Sequence, residues 1–462
     1  MRRSCKDINL RDYKTVLPWV WDCIKRHYKR FDFRGMLAKN GISRIDYARA
    51  CENSDLTILA PAIKRIAKDA VQRIAERNLA LPPIRNRKKM DASTGKERLI
   101  GCESAMQQVF DSIATYAVTD IWKRRIVWHQ VSSIKGRGPL HGAKIIRKWV
   151  QDDNRAMRYA QAHGLAYTPV CKYHVKGDIT KCFPSARYEI FMKFFRRDCG
   201  NEDLLWLWEE LLKSHRVDGY QGFMIGSNVS QWGMQYMLSF VYRYAMSLAT
   251  ERRGKRIKMV NHAIFFMDDL ELIGSNRKNL KTAMRKITKY AKDTFGLVIK
   301  VSWQIHELET HPIDMMGYVV HRNGKMTIRA RVFIRGRRMV LRYHRLRKLT
   351  LEQARRLTSY KGNFKHANIR YVRERKDSDE KIDILTACDY AAGVISRYDR
   401  EALYGSNIRP RTPAGEIHAA AGRASGCVDP RPSPAGNGRR RDALDGAGSL
   451  FPHPADVTGS SE

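Results

Sequence analysis

Two apolar runs, Ala263–Met267 and Leu270–Ile273, are separated by nothing but Asp268 and Asp269. Runs of this length and composition read as β-strands, so the acid pair is predicted to lie at the turn of a hairpin. Ninety residues earlier, Tyr173-His174-Val175-Lys176-Gly177-Asp178-Ile179 alternates like a strand and carries a third aspartate near its end. A sheet holding these strands would bring the three carboxylates together. The helix-like spacing of Asn228–Leu248 and of Asn276–Phe295 completes an order of strand, helix, strand-turn-strand and helix. That order predicts an α+β fold, an antiparallel sheet with helices packed on one face.

Clustered carboxylate oxygens suit hard divalent cations. Two Mg²⁺ ions held about 4 Å apart would activate an attacking hydroxyl and neutralise a leaving pyrophosphate in an in-line displacement. For an Asp-Asp pair in isolation a plain turn is the commoner explanation, because aspartate favours turns. Three features weigh against it here: apolar strands flank both acidic sites, the chain is strongly basic, and further motifs lie between the sites in order.

The basic balance narrows the partner. Lys and Arg number 86 against 47 Asp and Glu in 462 residues, a formal charge of +39. Such an excess points to a polyanion, foremost nucleic acid. No run approaches the roughly 18 apolar residues of a membrane span, and the start of the chain leads into no signal-like apolar core, so no membrane partner is expected. The nine cysteines are odd in number, scattered and free of C-x-x-C pairs. They read as reduced thiols of a cytoplasmic protein.

Residues 1–80 form a basic, helical N-terminal extension, with apolar positions recurring at three and four. Leu81-Pro82-Pro83-Ile84 breaks that pattern, and Arg85–Glu97 reads as a basic loop or hairpin. Met106–Trp149 is again mostly helical, and Leu204–Lys213 is a short amphipathic helix. Ser227 or Asn228 is positioned to cap the Asn228–Leu248 helix, and Gly296 to stop the Asn276–Phe295 helix. Beyond Gly317 the chain is intensely basic with helix-like spacing. From about residue 406 to 462 Pro, Gly, Ala and Ser dominate, which predicts a disordered tail.

At this level of detail the sequence resembles the bacterial reverse transcriptases. Val175–Ser185 is similar to their first catalytic motif and Phe266–Leu270 to their second. Gly222–Gln231 resembles their template- and nucleotide-positioning loop, Lys96–Ile100 their triphosphate-holding segment, and Lys135-Gly136-Arg137-Gly138 a family turn. Asp314–Tyr318 resembles the primer-grip hairpin. The motifs run in family order from about residue 80 to 375.

The resemblance implies a right-hand polymerase fold, with fingers at 81–175, a palm carrying the catalytic carboxylates at 176–320, and a basic helical thumb at 321–405. It implies an RNA-directed DNA polymerase that adds deoxynucleotides to a primer 3′-hydroxyl. Asp178 and Asp268 would be the principal metal ligands and Asp269 an auxiliary one, with Ile179 beside them, holding two Mg²⁺ ions or Mn²⁺ as a substitute. Lys96, Arg98, Phe183, Ile225 and Gly226 would bind the dNTP. Phe183, five residues after Asp178, stands where the family places the ring that excludes a ribose 2′-hydroxyl. Ser230, Gln231, Gly317, Tyr318, Arg335, Arg338 and Lys365 would contact nucleic acid. The implied partners are an RNA template from a dedicated noncoding or retroelement RNA, the DNA product, dNTPs and room for an accessory protein, in a bacterial cytoplasm.

Two departures from the family pattern stand out. Ile225-Gly226 and Ser230-Gln231 replace the usual Gln-Gly and Ser-Pro, which resembles the enzymes of diversity-generating retroelements and of some defence-associated groups. In the former this goes with error-prone copying of template adenines. The family's lysine-bearing segment after the catalytic hairpin has no clear counterpart; Leu297–Gln304 occupies that region, and Lys300 is not assigned as proton donor to pyrophosphate. Two other functions remain open on the same residues. One is a non-catalytic, maturase-like RNA-binding protein, and the other template-independent or protein-primed DNA synthesis.

Overall fold

Helices dominate the N-terminal quarter because apolar residues there recur at three and four, and two of the four helices open on a side-chain cap. The computed structural model describes residues 3–90, 95, 97–215, 222–344, 346, 348–367, 369–373 and 381–404. Its elements begin with α1 (Tyr13–His27), α2 (Phe31–Lys39), α3 (Arg44–Glu52), a 3-10 turn at Leu56–Leu59, and α4 (Ala60–Ala75). Asp12 caps α1 and Ser43 caps α3, each side chain accepting from a backbone N–H of the first turn. The basic stretch after the Pro-Pro break is a hairpin of β1 (Arg85–Met90) and β2 (Glu97–Cys102), with Arg98 opposite Lys89. Then come α5 (Ala105–Ala117), α6 (Thr119–Arg125) and α7 (Pro139–Ala162).

The centre of the molecule is built from β3 (Tyr173–Asp178), α8 (Cys182–Ser185), α9 (Tyr188–Asp198), α10 (Glu202–Lys213), α11 (Asn228–Ser247), β4 (Ala249–Arg252), β5 (Lys255–Lys258), β6 (His262–Phe266), β7 (Asp269–Gly274), α12 (Arg277–Phe295) and β8 (Ile305–Glu307). β6, β7, β3 and β8 form one antiparallel sheet in that order. Downstream, β9 (Ile313–Met315), β10 (Tyr318–Val320) and β11 (Met326–Ile328) make a three-stranded sheet. They are followed by α13 (Ala330–His344), α14 (Leu351–His366), the hairpin of β12 (Tyr371–Arg373) and β13 (Lys381–Asp383), and α15 (Ile384–Tyr404). Residues 1–407 make one compact unit. No helix among the described residues is long and apolar enough to cross a membrane. The predicted tail, 406–462, lies outside the described residues.

Alternation along β6 and β7 decides what covers the sheet. Ala263, Phe265, Leu270 and Leu272 face a large core with residues of α11 and α12, such as Met237, Leu280, Met284 and Ile287. Ile264 and Ile273, on the opposite face, pack with Ile146 and Val150 of α7 and with Ile313, Met315 and Val320. The expectation of helices on one face therefore needs correction. Both faces are apolar, so both are covered, one by α11 and α12 and the other by α7 with the β9–β10 hairpin. A separate cluster, including Val340, Leu357, Phe364 and Cys388, holds α13, α14 and α15 together.

Several local expectations match the elements formed. Ser227 caps α11, its side chain accepting from the backbone N–H of Ser230. Asn276 caps α12, and Gly296 ends it in the left-handed region. The primer-grip-like segment is a hairpin whose two turn residues, Met316 and Gly317, both have positive φ. Helix α9 and the β12–β13 hairpin have no counterpart in the sequence reading.

Candidate functional site

The two acidic motifs meet at one end of the four-stranded sheet. In the register of β3 against β7, Asp178 stands opposite Asp269. In the register of β6 against β7, Phe266 is the partner of Asp269, so the two-residue turn consists of Met267 and Asp268. The expected turn thus falls one residue earlier than the Asp268-Asp269 pair. Met267 adopts a φ of 55°, a left-handed conformation that costs an unbranched residue about 1 kcal/mol or more. That strain is held by stitching on both sides. The Ile179 N–H donates to the Asp268 carbonyl at 3.0 Å, and the Lys300 N–H donates to the Asp178 carbonyl at 2.9 Å.

The electrostatics follow from this crowding. Burial raises the Asp268 carboxyl above the ordinary aspartate range, with the charges of Asp269 and Asp178 adding to the rise. Its own backbone N–H and the charge of Arg98 act the other way. The Cys182 thiol, on the turn after β3, is raised well above its usual value by burial and by Asp268 and Asp178. Asp178 and Asp269 each hold a lysine: Lys300 Nζ lies 2.7 Å from Asp178 Oδ1, and Lys176 Nζ lies 3.2 Å from Asp269 Oδ1. Among the described residues no three His, Cys, Asp or Glu side chains converge closely enough to hold a metal ion as they stand. The donor chemistry nonetheless suits a hard cation, since like-charged carboxylates crowded together repel one another and a divalent ion relieves that repulsion. The Ile179 side chain is aliphatic and buried, which leaves only its main-chain oxygen as a donor.

The loop from Gly222 packs on the turn that follows β3 and against β2. Phe183 sits on α8, partly buried against the main core, and its carbonyl accepts from the Phe223 N–H at 2.9 Å. Gly222 is pressed so tightly on the preceding turn that a Cβ there would lie 2.2 Å from the Pro184 carbonyl oxygen. Ile225 accepts from the Gly101 N–H at 3.0 Å through its carbonyl. Gly226 has a φ of 114°, and a Cβ on it would lie 2.8 Å from the Gly101 carbonyl oxygen. The loop is therefore docked edge-on to β2, the strand that carries Arg98. Asp178, Asp268, Asp269, Arg98, Phe183, Ile225 and Gly226 belong to one neighbourhood, and Lys96 lies outside the described residues.

Other predicted contacts fall elsewhere. Ser230 is wholly buried, its Oγ accepting from the Met224 N–H at 3.1 Å and lying 3.3 Å from His215 Nδ1. Its hydroxyl is spent inside the protein, so as a nucleic-acid contact it is displaced by a role in holding the loop. Gln231 is half-buried on α11. Tyr318 is buried too, its hydroxyl 3.4 Å from Asn363 Oδ1, which ties β10 to α14. Gly317 supplies the turn before it. Arg335 is half-buried on α13, and Arg338 and Lys365 are exposed on α13 and α14.

Two sets of residues escaped the sequence reading. Lys300, left without a role, contacts Asp178 directly. The second set is a buried polar group beneath the loop. Asp111 Oδ2 accepts from Ser227 Oγ at 3.1 Å, from the Asn228 N–H at 3.0 Å and from the Val229 N–H at 3.2 Å, a side-chain cap on α11 supplied from α5. Burial raises its carboxyl to about 8 and that of neighbouring Glu103 to about 7. Burial lowers His215 to about 4. At neutral pH its imidazole is uncharged, and its 3.5 Å approach to Glu103 is no ion pair. No motif announces Asp111, because its donors lie more than a hundred residues away.

No protein-family model matches the sequence, and no curated protein matches it. Among solved structures the chain is similar to telomerases of Candida. A Candida tropicalis apo telomerase truncated from its C-terminal domain shares 12% identity at a TM-score of 0.36, covering 54% of each chain. A Candida albicans telomerase in complex with a fragment of telomeric RNA shares 11% at 0.37, covering 70% of this chain and 62% of that one. The apo Candida tropicalis telomerase shares 11% at 0.39, covering 85% and 80%. The chain thus spans about half the length of the first of these.

Proposed function

We propose that the chain is an RNA-directed DNA polymerase, extending a primer 3′-hydroxyl with deoxynucleotides on an RNA template. The observation that carries the proposal is the meeting of the acidic motifs: Asp178 in register with Asp269, and Asp268 on a strained turn beside them. Asp178 and Asp268 would hold Mg²⁺, with Asp269 remaining beside Lys176. Bound there, the cation supplies charge neutralisation for the attacking hydroxyl and the leaving pyrophosphate. Arg98 would attract the triphosphate, Phe183 would bound the ribose, and the loop through Ile225 and Gly226 would set the base pair against β2. The exposed cations of α13 and α14, Arg338 and Lys365 among them, would follow phosphates without reading sequence. The Ile225 loop supports a setting in a bacterial or phage retroelement or defence system.

The test is Mg²⁺-dependent incorporation of labelled dTTP on poly(A) primed with oligo(dT), comparing wild type with Asp268→Ala. Incorporation by the wild type that vanishes in the variant is expected. If neither incorporates, on poly(A) or on RNA that copurifies with the protein, while both bind RNA, the polymerase reading is wrong and a binding protein on the same fold replaces it.

A further inference from the structure

The far end of the central sheet carries a second basic surface, remote from the aspartates. β4 and β5 form an isolated two-stranded hairpin inserted between α11 and β6, and residues 251–258 are all exposed. Its turn is Arg253-Gly254, both in the left-handed region. The register sets Arg252 directly opposite Lys255. Like charges facing each other across a ladder are destabilising, and a two-stranded hairpin has little stability to spare. Arg252, Arg253, Lys255 and Lys258 make no ion pair with any described residue.

A second element repeats the pattern. The hairpin base adjoins the start of α12: a Cβ on Gly274 would lie 3.3 Å from the Met259 carbonyl oxygen, and the Ser275 N–H donates to Asn261 Oδ1 at 3.1 Å. The first two residues of α12 are Arg277 and Lys278, both exposed, and its first turn holds no acid. Cations at a helix N-terminus oppose the helix dipole. Two neighbouring elements therefore each keep positive charge where local physics disfavours it. Five residue steps of β7, about 17 Å of strand, separate Asp269 from Gly274. The surface accordingly lies outside the candidate site.

We propose that this edge, the β4–β5 hairpin with the first turn of α12, is a docking surface for the phosphate backbone of folded RNA outside the stretch being copied. It rests on the proposed function only in taking RNA as the partner. Charge complementarity selects the occupant: five of the eight exposed residues 251–258 are Arg or Lys against one acid, Glu251, and one apolar side chain, Ile257, which suits phosphates and offers little to a lipid interior. Each phosphate-contacting cation that is lost reduces the slope of log K against log salt by about one.

The experiment measures binding of a fluorescein-labelled RNA stem–loop of about 20 base pairs over a salt series. It compares wild type with the combined Arg252→Ser, Arg253→Asn, Lys255→Ser and Lys258→Ser variant, and with a separate Arg277→Ser, Lys278→Ser variant. The hairpin variant is expected to have a slope shallower by about three to four and the helix variant by about two, whereas Lys255→Arg with Lys258→Arg keeps the wild-type slope. Slopes unchanged in both neutralised variants, with wild-type melting curves, overturn the proposal. So does a loss confined to flotation with phosphatidylserine vesicles, which would assign the edge to an acidic membrane. Incorporation on poly(A) primed with oligo(dT) is read in parallel. A wild type that incorporates nothing, on poly(A) or on RNA that copurifies with it, yet binds the stem–loop through these cations sinks the polymerase reading and leaves the docking surface standing.

Discussion

Replacing Asp111 by asparagine isolates the buried acid group beneath the Gly222–Gln231 loop. In the fold, burial holds the Asp111 carboxyl up to about 8, whereas in the unfolded chain it ionises near its ordinary value of about 4. The folded state keeps a proton that the unfolded state has released, so this contribution to stability is complete below about pH 4. It drains away as pH rises toward 8. Each such group changes stability by at most about 1.4 kcal/mol per pH unit. Glu103 adds a second slope of the same sign that ends near pH 7. Asparagine keeps one oxygen to accept from the Asn228 and Val229 N–H groups but cannot ionise. The advantage of wild type over Asp111→Asn is therefore expected to shrink by about 1 kcal/mol per pH unit from pH 5 to pH 8. Asp111→Ala additionally strands two backbone donors at the start of α11, a cost of about 2 to 6 kcal/mol. Urea unfolding at pH 5, 6, 7 and 8 reads both quantities. Parallel stability curves for wild type and Asp111→Asn would refute the reasoning, because the carboxyl would then ionise alike in folded and unfolded chains.

Two more perturbations probe the site. Gly222→Ala forces a Cβ against the Pro184 main chain, which no rotamer relieves, and is expected to cost at least about 2 kcal/mol in urea unfolding; a wild-type midpoint would show that the loop does not sit on that turn. Lys300→Ala frees Asp178 Oδ1 from a half-exposed ion pair, so the Mg²⁺ concentration for half-maximal incorporation is expected to fall by up to about fivefold. An unchanged or higher requirement would mean that the lysine does not compete with the cation.

The candidate site was legible where its signal was local. Alternating residues before Asp178 and apolar runs on either side of Asp268-Asp269 announced strands, and the two-residue gap announced the turn to within one residue. Lys300 was not legible in the same way. Its segment carries no strong period, and its place beside Asp178 depends on backbone bonds from Thr180 to Val298 and from Lys300 to Asp178. Ser230 misled in the opposite sense, since a motif position says nothing about which way a hydroxyl faces once α11 is packed. Its orientation was settled by Met224 and His215, which enclose it.

By itself, then, the sequence determined the strands around the aspartates, a cap at Ser227 or Asn228, the stop at Gly296, the basic character of the chain and the pairing of the acidic motifs. These depend on periodicity and on neighbours a few residues apart. Only the tertiary structure decided that α7 covers the second face of the sheet, that Asp111 caps a helix more than a hundred residues downstream, and that two lysines rest on the aspartates. It also decided that the β4–β5 cations stand beside the first turn of α12. Each of these joins distant parts of the chain, where burial and charge take their values from the packing and not from the local pattern.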